Sequence, residues 1–166
     1  MVIPNTLNKE VVDVINKAIA FEYQSHLFWN SASNWCANAG YNKAAAYYLK
    51  ESLSELEHTR SLQDFLLGWN IIPQIPQVPM AYEFTSLEDT IDKSYNLMLD
   101  VFNHYVESSQ QLFGVDLSTF DFLQQFRILQ IAALAEYSNL LSGLELINKN
   151  NKLDVLFFET KYFKNK

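Results

Sequence analysis

The 166-residue chain reads as all-α: a four-helix bundle with a long connection between the second and third helices and a short fifth helix at the C-terminal end. Two observations carry this. Gly and Pro number only 4 each, and three of the prolines fall within residues 73–79, so most of the chain lacks helix breakers. Apolar residues also recur at three- and four-residue steps through four uninterrupted stretches, the spacing that lines one face of a helix. The length fits a single domain, residues 1–166, with a substantial core.

Thr6 is the expected cap of the first helix. Its seam runs Val11, Ile15, Ala18, Glu22, Ser25, Trp29, Ala32, Cys36, with an acid in the middle that requires a partner. Ala39-Gly40 breaks the pattern, and so short a turn makes the next helix an antiparallel neighbour. The second seam reads Tyr41, Ala44, Tyr48, Glu51, Glu55, His58, Leu62, Phe65 and stops at Gly68. From Trp69 to Thr85 there is no helical period, and Pro73, Pro76 and Pro79 suit an extended crossover. Ser86, with Asp89 three residues on, caps a third helix with seam Leu87, Ile91, Ser94, Met98, Val101, Tyr105, Ser108, Leu112. Gly114 ends it. The fourth starts near Ser118 and turns Leu123, Gln130, Leu134, Tyr137, Leu141 and Leu144 inward. After the Asn148–Asn151 run, residues 153–163 form the short fifth helix, followed by a solvated Lys-rich tail.

Composition narrows the function. Apolar residues make up 49%, and 12 Phe, 9 Tyr and 3 Trp predict an aromatic core. A formal charge of −7 argues against nucleic acid as a partner and is compatible with attracting cations. A single cysteine, Cys36, has no internal disulfide partner and reads as a small core residue, which fits a reducing compartment. No apolar run reaches the length of a membrane span, and the N-terminus has no signal-peptide pattern. The expectation is a soluble, cytoplasmic protein.

The chemistry gathers at Ser54-Glu55-Leu56-Glu57-His58. Glu55 and His58 are three residues apart, so a helix stacks them on one face, the way bundles present a carboxylate and an imidazole to a metal in the core. Glu22 on the preceding helix supplies a second carboxylate. Two carboxylates and one imidazole make a normal donor set for one divalent ion. The same three side chains would also satisfy one another as a buried polar cluster without metal.

In order and spacing, several local strings resemble the bacterial non-haem ferritins along nearly the whole chain. These are Leu7-Asn8, Trp35-Cys36, Glu55-Leu56-Glu57-His58, Phe84-Thr85-Ser86-Leu87, Phe122-Leu123-Gln124 and Leu156-Phe157-Phe158. The resemblance implies a ferritin-like bundle that self-associates into a hollow cage of roughly 24 subunits, oxidises ferrous iron and stores the ferric mineral. Carried over residue by residue, it matches Glu22, Glu55 and His58 to the iron ligands and Gln130 to the glutamine or acid of the fourth helix. Three positions depart. Met98 stands where the family has a glutamate, Trp29 where it has a supporting tyrosine, and Ser54 where many members have another glutamate. Ile131-Ala132-Ala133-Leu134 replaces an acid-rich run that serves an extra inner iron site.

A thioether is soft and uncharged, so Met98 gives a hard dication no counter-charge. Two dications would be under-neutralised by Glu22 and Glu55. The paired site is therefore expected to be reduced to one ion, with the ferroxidase activity implied by the resemblance diminished or lost. His26, one turn beyond Glu22, and Glu51, one turn before Glu55, are candidate substitute ligands. Trp29 and Met98 read as core filler, and Gln130 reads more as a structural hydrogen-bonder than as a ligand. Asp116 and Asp121 lie where the resemblance places channel acids.

Two functional readings follow. One is an iron-storage cage with altered oxidation chemistry; the other is a non-catalytic ferritin homologue, a cage for other cargo or a partner in a mixed cage. A DNA-protecting mini-ferritin is disfavoured by the acidic charge and by the absence of a His-rich first helix. A haem-binding bacterioferritin is disfavoured because the fourth helix has no Glu-x-x-His.

Overall fold

In the computed structural model, which describes residues 7–78 and 82–164, the regular structure consists of five helices: α1 (Lys9–Ala39), α2 (Asn42–Gly68), α3 (Leu87–Leu112), α4 (Leu117–Leu144) and α5 (Lys152–Tyr162). α1 packs mainly on α2, α3 on α4, and α5 sits across the ends of α2 and α4. The four long helices and the short fifth are those expected from the periodicity.

The helix ends follow local chemistry. Asn8 caps α1, its side-chain oxygen accepting the Val11 amide at 3.0 Å. The expected cap, Thr6, lies outside the described residues. Gly40 closes α1 with φ 88°, a left-handed turn in which the Tyr41 amide donates back to the Cys36 carbonyl at 2.9 Å. Ser86 caps α3 as predicted, accepting from the Asp89 amide at 3.0 Å, while the Asp89 carboxylate accepts from the Thr85 amide at 2.9 Å. α4 is capped two residues earlier than expected, by Asp116, whose Oδ1 accepts from the Thr119 amide at 2.7 Å. That oxygen is committed to the helix start.

No residue of its own caps α2, since the Tyr41 side chain makes no capping bond. The acceptor comes from the other end of the sequence. Glu159 on α5, 3% exposed, places Oε1 2.6 Å from the Lys43 amide and 2.9 Å from the Ala44 amide. α5 is seated by a close approach to Gly143 of α4, where an added Cβ would come within 2.7 Å of Tyr162 and 2.9 Å of Phe158.

Every seam residue predicted for α1 and α3 is buried. In α2 the buried face also takes in Ser52 and Thr59, and Tyr41, Glu51, His58 and Phe65 are half-buried. In α4, Leu134 and Leu141 are half-buried, whereas Phe126 and Leu140 are in the core. The described residues of the crossover have no regular structure, and its Gln74 amide is anchored on Asn16 of α1 at 2.9 Å; Pro79 lies outside the described residues. Among the described residues, no helix is long and apolar enough to cross a membrane.

Candidate metal centre

Glu22 of α1 and Glu55 and His58 of α2 meet inside the bundle. Among the described residues they form the group in which carboxylate oxygens and an imidazole nitrogen lie within 4.8 Å of one another. Both acids are buried, Glu22 fully, and the His58 side chain keeps 19% of its surface. His58 Nδ1 lies 2.8 Å from Glu55 Oε2 and 3.5 Å from Glu22 Oε2. Glu22 Oε2 is itself buried without a hydrogen bond.

The remaining oxygen of each acid is held by an aromatic donor. The Tyr105 hydroxyl of α3 donates to Glu22 Oε1. The indole N–H of Trp29 points at Glu55 Oε1 from 3.4 Å. Trp29 therefore does more than fill volume. It is fully buried between Tyr48 and Tyr137, both stacked on it with centroids 5.8 and 5.4 Å away, and orients a site carboxylate. The seam position of Tyr105 predicts burial alone, and its bond to Glu22 is a finding of the structure. The available signal was that a buried tyrosine hydroxyl needs an acceptor, and Glu22 was the seam acid without one.

Protonation follows from crowding two acids and an imidazole together. Burial pushes the Glu55 carboxyl up, and the negative charge of Glu22 adds to this, so it titrates at about 8. Burial also acts to raise Glu22, but the facing Glu55 and His58 groups, the His58 charge and the Tyr105 hydroxyl outweigh it and hold it below the ordinary carboxylate range. Burial disfavours the His58 cation, yet hydrogen bonds to Glu22 and Glu55 and their charges raise it to about 10. Burial and the Glu22 charge thus favour the protonated form of Glu55, and the two facing carboxyl groups favour the protonated form of His58.

The other candidates divide. Gln130, 2% exposed, lines a cavity of about 200 Å³ beside Glu55 and His58, and its Oε1 is buried without a partner. Glu51, Ser54 and Met98 line the same cavity. His26 is not gathered into the group: its Nδ1 lies 2.9 Å from the Ser52 carbonyl and is spent on joining α1 to α2. Asp121 is exposed on α4. Cys36 is fully buried, and burial, with the Glu159 charge behind it, pushes its thiol up to about 12, so it is unreactive.

The donors present suit a divalent cation: two carboxylates and an imidazole from two rigid helices, one oxygen lacking any hydrogen-bond partner, and two aromatic donors fixing the orientation. Met98 contributes no charge to the opposite wall.

Residues 12–147 match the model of the ferritin-like domain family. Bacterial non-heme ferritins of Escherichia coli and Shigella flexneri are each 24% identical over 150 residues, covering 88% of this chain and 90% of theirs. Among solved structures, an open pore ferritin from the hyperthermophilic archaeon Archaeoglobus fulgidus superposes with a TM-score of 0.90 at 19% identity, covering 97% of this chain and 100% of that one. An engineered closed form of that ferritin gives 0.89 at 18% identity, covering 97% and 99%.

Proposed function

The chain belongs to the ferritin-like domain family, and from that premise we propose that it is an iron-storing cage subunit whose oxidation centre is reduced to a single-ion site. The whole chain acts as one ferritin-like domain in the cytoplasm. Ferrous iron is the substrate, taken up at Glu22, Glu55 and His58. The observation that carries this reading is the convergence of those three donors, with the uncharged Met98 in place of a third acid. Self-association is supported by an apolar stripe on the outside of α2, where Leu49, Leu53 and Leu56 are 46%, 54% and 37% exposed.

Each residue has a part in that chemistry. Glu22 supplies negative charge at neutral pH and directs Oε2 inward, while Tyr105 fixes its other oxygen. Glu55 and His58 become ligands by giving up protons. Dioxygen reduction to peroxide takes two electrons, and a lone ferrous ion supplies one, so oxidation is slow and mineral grows mainly after the first ferric ions have accumulated.

The test is aerobic addition of ferrous iron followed by size-exclusion with iron and protein detected together. Iron co-eluting with a cage-sized peak, well above one ion per subunit, is expected. A cage-sized peak carrying no iron would overturn storage and leave the second reading, a shell for other cargo or a mixed-cage partner. That reading draws on the self-satisfied group, in which Trp29 and Tyr105 occupy oxygens a metal would use. Met98→Glu should separate the two: a carboxylate there raises the initial rate of iron oxidation by ten-fold or more in a sound half-site and leaves it flat in a shell without iron chemistry.

A further inference from the structure

Where α3 turns into α4 there is a cavity of about 390 Å³ lined by Val106, Ser109, Gln110, Phe113, Phe120 and Arg127. It shares no residue with the Glu22, Glu55 and His58 group. Arg127 is the one charged residue among its lining, and its guanidinium is held in a fixed pose. The guanidinium stacks on the Phe120 ring with Cζ 4.8 Å from the centroid. Its Nη1 donates to Ser109 Oγ and, at 3.4 Å, to the Phe120 carbonyl. Ser109 is buried and donates its own hydroxyl proton to the Tyr105 carbonyl at 2.6 Å, which leaves its lone pairs for Arg127. Both of these arginine bonds therefore leave from one nitrogen. The other edge, Nη2 and Nε, makes no hydrogen bond or ion pair among the described residues. The chain has 19 acids against 12 Lys and Arg, so a half-buried arginine without a carboxylate runs against its composition.

We propose that this cavity binds a small monocarboxylate with an aromatic or branched aliphatic body. Two parallel N–H groups on the Nη2–Nε edge match the two oxygens of a carboxylate. The apolar body lies against Val106, Phe113 and Phe120. Phe113 is 70% exposed and meets Phe120 edge to face with centroids 5.4 Å apart, so a ligand there covers apolar surface now in water. Charge complementarity selects the class. One guanidinium between apolar walls neutralises one negative charge and leaves a doubly charged phosphate under-neutralised and poorly solvated. A metal cation is repelled by the same group. The volume lies within the usual range of small-molecule pockets, roughly 300–1,000 Å³. The inference goes beyond the iron reading and does not depend on it.

The probe is 3-phenylpropionate, titrated by calorimetry into the assembled protein at low salt, beside its neutral analogue 3-phenylpropanamide and beside acetate. Saturable binding of the carboxylate is expected, with the amide and acetate each weaker by about ten-fold or more. Arg127→Gln should abolish the preference for the carboxylate over the amide. Phe113→Ala, an exposed position, should weaken both by several-fold. Circular dichroism and size-exclusion verify that each variant is folded and assembled, and the carboxylate-to-amide comparison in the wild type needs no variant. Equal affinity for carboxylate and amide, or an undiminished preference in Arg127→Gln, would overturn the site and leave only an apolar patch. Absence of saturable binding by the assembled protein would also overturn it, as would loss of assembly in Arg127→Gln, which would assign the groove to a second copy of the chain.

Discussion

At the triad the number of protons decides what a metal must displace. Glu55 titrates at about 8 and His58 at about 10, both above their ordinary values. The folded state therefore binds more protons than the unfolded chain between about 4.5 and 8 at Glu55 and between about 6.5 and 10 at His58. That stabilisation is complete at low pH and is lost as pH rises through 8 and then 10. Metal-free protein should melt at progressively lower temperature from pH 7 to pH 10. Saturating manganous or ferrous ion should shrink the decline, because deprotonation of the same two groups now favours binding; thermal scans with and without the ion check both. His104 works in the other direction. Burial, then the Lys17 charge, lowers it to about 4, and it stacks on Phe21 with centroids 4.5 Å apart. Its contribution is present above pH 6.5 and is lost as pH falls through 4, so His104→Gln should flatten the acid limb of the same curve. The triad itself was legible in the sequence because helical spacing alone stacks Glu55 under His58. Tyr105 and the indole of Trp29 were not legible as site partners, since nothing local specifies which helix a long aromatic side chain will reach across to.

Between elements, the informative contact is the carboxylate of α5 on the first turn of α2. Glu159 accepts from two amides that no residue near Tyr41 satisfies. Removing a helix-capping acceptor costs about 0.5–2 kcal/mol, and a buried cap belongs at the upper end of that range. Glu159→Ala should lower the melting temperature by a few degrees. Glu159→Gln, which keeps an acceptor and loses the charge, should cost less than half as much. A pair of melts decides it. The helices are legible in order and length from their apolar period, and every expected seam residue of α1 and α3 is buried, although Ile19 and Phe28 of α1 and Leu97 of α3 are buried outside those seams. α2 misled because Ser52 and Thr59 look like surface residues by type. Both hydroxyls are satisfied in the bundle, Ser52 Oγ across to the His26 carbonyl of α1 at 3.1 Å and Thr59 Oγ1 locally to the Glu55 carbonyl at 2.9 Å. α4 misled for the opposite reason: it is apolar on several faces, so Phe126 and Leu140 could not be told from exposed Ile128 and Ile131 by periodicity.

Over the whole molecule, charge and apolar surface pull in different directions. A net charge of −7 keeps subunits apart at low ionic strength, while the Leu49, Leu53, Leu56 stripe on α2 favours contact. Assembly is therefore expected to strengthen with moderate salt. Leu53→Glu places a charge in the middle of the stripe without touching the core, so it should shift size-exclusion from a cage-sized peak to small species while helicity by circular dichroism is unchanged. A cage-sized peak in that variant would move the interface elsewhere. The cap supplied by Glu159 also orders events in time. A ribosome releases the start of α2 well over a hundred residues before it releases the side chain that satisfies those amides. Until then α2 has a frayed first turn, and the hairpin it forms with α1 is provisional. The nascent chain should thus gain protease resistance near residues 41–45 only after α5 has emerged, making α5 the step that locks the hairpin of α1 and α2.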